Sequence, residues 1–283
     1  MILRIKKKRF YFVLFIIIFF VATFLIFFQK HKSQINYKIS QYEENENYTI
    51  KKAVYTNFGK EIYGFLLEPN VKGKVSGIVL LPGAGVDKMS ELPLAKELAQ
   101  QGYAVITIDQ RGTGETDGKM SSFEEDFNDY KNGNIPTQRL MISDALAAAD
   151  VLRNQEKVYP DNLVMMGESL GGRIALISTS LDKNIKGAIA ISTAGFHSYG
   201  NDEKSEFINS FDPDNYISKI SPRKVFMLHN YYDRNVPFQS ALITFEKAKE
   251  PKKFILVNDT NCNHGFCQSM FKDINSSLAS IVG

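Results

Sequence analysis

The 283-residue sequence is short of histidine and shorter of cysteine, with four of the first and two of the second. Any chemistry needing an imidazole base must therefore use His31, His197, His229 or His264. It contains no internal repeat and no low-complexity tract, which removes solenoid and fibrous architectures. It has no G-x-x-x-x-G-K-S/T run, so the glycines around "LLPGAGVDK" are not a phosphate cradle of that kind. Acids are absent from the first 32 residues, which hold seven Lys/Arg; with the whole chain at +3, the body from Ser33 onward is four charges negative. The basic balance thus belongs to the N-terminus, and the mildly acidic body argues against a nucleic-acid partner.

That N-terminus also holds a long uncharged run. Phe10 to Phe28, "FYFVLFIIIFFVATFLIFF", would span roughly 28 Å as a helix, close to the hydrocarbon thickness of a bilayer. A cleaved signal peptide would carry a shorter apolar core and a small-residue cleavage site; "QKHKSQ" follows instead. The reading is an uncleaved anchor over 1–32. Arg4, Lys6, Lys7, Lys8 and Arg9 precede the span and only Lys30 and Lys32 follow it closely, so the N-terminus is expected in the cytoplasm and the body outside the cell membrane. Residues 33–48 are polar with no clear period and read as a tether.

From Thr49 the texture changes. "TIKKAVYT", "EIYGFLLEP", "GIVLLP", "AVITID", "NLVMMG", "GAIAIS", "KVFMLH" and "KFILVN" are short strand-like runs, several apolar without alternation, as strands buried on both faces are. Helical patterns lie between them near 91–101, 139–153, 170–182, 238–249 and 267–281. The alternation predicts one α/β domain over 49–283, with a mostly parallel sheet, helices on both faces and an opening hairpin at "NFGKE". Residues 115–137 read as a solvated acidic loop. Residues 196–222 read as a small cap whose aromatics fill core.

Within this frame "NLVMMGESLGGRIALIS" is strand, sharp turn and helix, with Ser169 at the turn between Gly167 and Gly171. A serine so placed can act as a nucleophile if a base takes its proton. His264 lies in a loop between the last strand and the last helix, where a base can project over the sheet edge. His31 abuts the anchor, His229 ends an apolar strand as a packed residue, and His197 has no acid close by in sequence. Asp233, four residues beyond a strand at the same edge, can orient His264. The backbone amides of Ala84 and Leu170 are the expected oxyanion donors. Cys262 and Cys267 bracket His264, which leaves open a disulfide, two free thiols, or a metal site that lacks a fourth ligand.

These segments, with "LAQQGYAVITIDQRGTGET", "LHNYYDRNVP" and "CNHGF", resemble the α/β-hydrolases, more narrowly the prolyl-oligopeptidase-like and dienelactone-hydrolase-like esterases and peptidases. The resemblance implies an eight-stranded sheet with its first pair antiparallel, a catalytic triad of Ser169, Asp233 and His264, and a structural turn at 109–114. Pro82-Gly83 and Asn230 depart from the family pattern at the oxyanion loop and after His229. The expected activity is hydrolysis of small-molecule or lipid carboxylic esters through an acyl-enzyme, with no cofactor and no metal. A peptidase or amidase with the same triad is the alternative, and a surface binding module on the same scaffold a further one.

Overall fold

Among the described residues nine strands form, all but the first where the sequence holds β-branched and apolar runs: β1 Tyr37–Glu44, β2 Tyr48–Asn57, β3 Lys60–Pro69, β4 Val75–Leu81, β5 Ala104–Ile108, β6 Val158–Glu168, β7 Ile185–Ile191, β8 Lys224–Asn230 and β9 Lys252–Val257. This computed structural model describes residues 35–283. The apolar span expected over 10–28 lies outside the described residues, and among those described no helix is long and apolar enough to cross a membrane.

The sheet order is β1-β2-β3-β5-β4-β6-β7-β8-β9. The pairings from β1 to β5 through β2 and β3 are antiparallel, and all the others are parallel. The β2–β3 hairpin closes at Phe58 and Gly59, both at positive φ (45° and 71°), the geometry a two-residue turn requires to match strand twist.

Seven α-helices complete the domain: α1 Lys88–Gln100, α2 Phe123–Lys131, α3 Thr137–Arg153, α4 Leu170–Leu181, α5 Glu203–Asn209, α6 Phe238–Glu246 and α7 Phe271–Val282. Alternate residues of the central strands feed opposite layers. Val79, Leu81 and Met165 pack with α3 and α4, whereas Ile78, Leu80, Val164 and Met166 pack with α1 and α7. Both faces are covered, which is why these strands read as continuous apolar runs.

Two expectations are corrected. The sheet has nine strands where eight were expected, because residues 37–44, within the expected tether over 33–48, form edge strand β1. Its register shifts between Gln41 and Glu43, and only its first half packs inward, through Tyr37 and Ile39. A polar, irregular sequence suits an edge strand with one face in water. The acidic loop over 115–137 contains α2, which opens on a capping box between Ser122 and Glu125. In the cap, the ring of Phe207 from α5 is surrounded by Phe123, Phe127, Tyr130 and Phe211 at centroid distances of 4.9 to 5.5 Å. Phe207 and Phe211 are core, as expected, whereas Phe196 and Tyr199 of the same segment are exposed.

Candidate active site

Parallel strands β4, β6, β8 and β9 deliver their following loops to one sheet edge; Ala84, Ser169, Leu170 and Asp233 lie within three residues of a strand end, and His264 lies in the longer loop after β9. Ser169 follows β6 at φ 51° and ψ −114°, a conformation L-residues rarely adopt. Its amide donates to Ile191 O at 2.9 Å and its carbonyl accepts from Thr193 Oγ1 at 2.6 Å, so both sides of the strained residue are tied to the end of β7. The flanking glycines are required by close approach: a Cβ on Gly167 would meet the Gly171 carbonyl at 2.5 Å, and one on Gly171 would collide with Leu81 O. A Cβ on Gly83 would stand 3.7 Å from that of Ser169, which puts the loop after β4 against the serine. Gln110 braces that loop, its Nε2 donating to Pro82 O at 2.6 Å. Ala84 is exposed on this loop, whereas Leu170 is buried at the first turn of α4.

His264 and Asp233 meet. The ring Nδ1 lies 2.9 Å from Asp233 Oδ2 and 3.0 Å from Oδ1. Asp233 Oδ1 also accepts from the amides of Asn235 and Val236, at 2.9 and 2.8 Å. Burial pushes the Asp233 carboxyl upward, but these hydrogen bonds, His264's foremost, hold it below the usual carboxylate range. An ionised carboxylate at Nδ1 requires a proton there and leaves Nε2 as the basic nitrogen. Among the described residues no hydrogen bond joins Nε2 to Ser169 Oγ; such bonds often tighten only when substrate binds. His229 is packed, with Nε2 donating to Val236 O at 2.8 Å, and burial lowers its pKa. Cys262 and Cys267 form a disulfide around His264, with Cα atoms 5.8 Å apart, so the thiol and metal alternatives have no free sulfur to use. The expected turn at 109–114 is fixed by Asp109, whose carboxylate takes Lys88 Nζ at 2.6 Å and the Glu115 amide at 2.8 Å.

One pair of site residues was not legible in the sequence. Glu168, the variable residue of the G-x-S-x-G motif, accepts the Phe266 amide at 2.9 Å and so holds the His264 loop against the elbow. Beside it Glu91 of α1 is only 3% exposed. Burial, and then the neighbouring Glu168 charge, push the Glu91 carboxyl up to about 9, so it carries a proton at neutral pH. Only the proximity of residues 77 positions apart reveals the pair.

Residues 75–209 match the family model described as serine aminopeptidase, S33, and residues 146–278 the one described as BAAT / acyl-CoA thioester hydrolase C terminal. The fold superposes on an acetyl xylan esterase from Paenibacillus sp. R4 with a TM-score of 0.75 and 17% identity, over 88% of this chain and 90% of that one. The chain has the α/β-hydrolase fold. Acetyl xylan esterase 1 from Thermoanaerobacterium sp. JW/SL YS485 matches this chain with a TM-score of 0.74 and 14% identity, covering 88% and 89%. Among curated proteins, the uncharacterized protein YfhR of Escherichia coli O157:H7 is 27% identical over 65% of this chain. The chain spans 62% of that relative's length. The acetyl esterase Axe7A of Xylanibacter ruminicola is 22% identical over 72% of this chain and 53% of its own.

Proposed function

We propose that this α/β-hydrolase is a serine esterase in which Ser169 is the nucleophile, His264 the base and Asp233 its orienting carboxylate. The observation that carries the reading is the Asp233–His264 pair, held by Glu168 and the disulfide beside a serine in a strained elbow. Ser169 Oγ attacks the ester carbonyl carbon as Nε2 of His264 takes its proton. The amides of Leu170 and Ala84 receive the oxyanion. The proton passes to the departing alcohol, leaving an acyl-serine that water, activated by the same histidine, then hydrolyses. No step calls on a cofactor. The two acetyl xylan esterases of like fold and the acetyl esterase relative support a short acyl group. The serine-aminopeptidase family model favours amide hydrolysis as the second reading. We further propose that residues 1–32 anchor the enzyme in the cell membrane with its catalytic domain outside.

Treating the full-length protein with a fluorophosphonate and mapping the adduct by mass spectrometry tests the triad. Labelling at Ser169, lost in Ser169→Ala and slowed by about 10⁴ in Asp233→Asn, is the expected result. Hydrolysis of acetyl and butyryl esters should exceed that of matching aminoacyl amides. A folded protein that leaves Ser169 unlabelled overturns the triad, and faster amide cleavage overturns the esterase.

A further inference from the structure

His197 lacks an acid nearby in sequence, yet the fold gives it one. Its Nδ1 lies 2.7 Å from Asp214 Oδ2, and its Nε2 lies 2.8 Å from Ser240 Oγ. Serine, histidine and aspartate come from three segments: α6, the stretch after β7, and the short 3-10 turn of the cap at Pro213–Asn215. None of them belongs to the site already described.

The protonation pattern follows from the partners. Asp214 is buried and accepts Thr244 Oγ1 at 2.8 Å and Lys247 Nζ at 2.7 Å besides the imidazole. Burial raises its carboxyl, but the hydrogen bonds from Lys247, His197 and Thr244 outweigh burial and keep it ionised. A carboxylate can only accept, so Nδ1 of the neutral ring carries the proton and the Nε2 lone pair faces the Ser240 hydroxyl. This is the arrangement that makes a serine oxygen nucleophilic, and here the serine–histidine bond is already formed.

Three further features fit a reactive site better than a latch. His197 holds φ 53°, a strained backbone conformation for a non-glycine residue. Attachment of the cap to α6 is already supplied by the Gly195 amide donating to Thr244 Oγ1 at 2.7 Å, and the Arg173 guanidinium stacks 4.5 Å over Phe196 beneath it. Pro237 at the start of α6 offers no capping side chain, and its carbonyl takes the amides of Ser240 and Ala241, so the first-turn N–H groups of Phe238 and Gln239 have no helical acceptor and lie in the same turn as Ser240. The site is open to solvent, the imidazole side chain being 19% exposed, and exposed Tyr199, Tyr231 and Tyr232 stand on the flanking segments.

We propose that Ser240 is a second activated serine, with His197 as its base and Asp214 as the orienting carboxylate, reacting with carboxylic esters that carry apolar or aromatic groups. In that reaction Ser240 Oγ bonds to the carbonyl carbon while its proton moves to Nε2. The ester C–O bond then breaks and the leaving alcohol takes that proton. Water later cleaves acyl-Ser240, restoring the hydroxyl and releasing the acid.

The test uses the full-length protein and an aryl fluorophosphonate, which forms a P–O bond to an activated serine as fluoride leaves. Adducts are mapped in wild type and in the Ser169→Ala, Ser240→Ala and His197→Gln variants. The expected result is a Ser240 adduct that persists in Ser169→Ala and forms at least tenfold more slowly in His197→Gln. Labelling of Ser169 in His197→Gln reports that the variant is folded. Labelling confined to Ser169 overturns this proposal and leaves the esterase reading intact. Labelling of Ser240 alone does the reverse, and Ser240 labelling that is equally fast without His197 also overturns it.

Discussion

Ser169 occupies backbone angles that cost an L-residue about 1–3 kcal/mol, and the ties to Ile191 and Thr193 hold it there. The motif made this serine legible, because glycines on both sides are needed only where strand and helix crowd a turn. Asp233 and His264 were legible for a simpler reason: each follows a strand in a parallel sheet, so topology brings them to one edge. Glu91 was not legible. It sits in an amphipathic helix among ordinary acids, and its meaning comes from Glu168 across the site. In the folded protein it keeps its proton up to about pH 9, whereas in the unfolded chain the proton leaves near the ordinary value of 4.5. Between those limits the folded state binds more protons, so the pair's contribution is full below about pH 4.5 and is lost as pH rises through 9. Glu91→Gln should flatten the fall in melting temperature between pH 5 and 9, and should melt higher than wild type at pH 9. Calorimetry giving parallel curves for the two proteins would refute the protonated carboxyl.

Among the elements, the central strands and the flanking helices were readable from hydrophobic run length alone. Observed bounds differ from those expected by a few residues, as at α1, which begins at Lys88 under an Asp87 cap, and α7, which begins at Phe271 after a 3-10 turn. Edge strand β1 and helix α2 escaped because neither is apolar enough to announce a buried face; each is defined by what it docks on. Helix α2 has a structural duty that its acidity concealed. Helix α3 starts after Pro136, which offers no capping side chain, and buried Asp126 of α2 supplies the cap, accepting the amides of Thr137 at 2.8 Å and Gln138 at 3.1 Å. Asp126→Ala should lower unfolding stability in urea by about 1–2 kcal/mol. The same loss from Asp129→Ala, which caps nothing in α3, would show that charge and not capping is responsible.

For the whole molecule the asymmetry of charge is informative. An N-terminus with seven cations and a body four charges negative suit a chain whose start is drawn to anionic lipid while its bulk is not. The anchor proposed over 1–32 predicts that the full chain stays in the membrane pellet after alkaline carbonate extraction, and that a chain beginning at Ile35 is released. Full-length protein in the supernatant would dispose of the anchor.

The ring closed by Cys262 and Cys267 around His264 makes the candidate site sensitive to how the protein is handled. A purification buffer containing dithiothreitol opens that ring and leaves the loop to its hydrogen bonds, Asp233 on the imidazole, Glu168 on the Phe266 amide and the Arg234 amide on Asn263 O. For the esterase proposed above, turnover numbers from thiol-treated and untreated preparations would then describe two differently ordered sites, and a weak activity in the first would be no guide to the second.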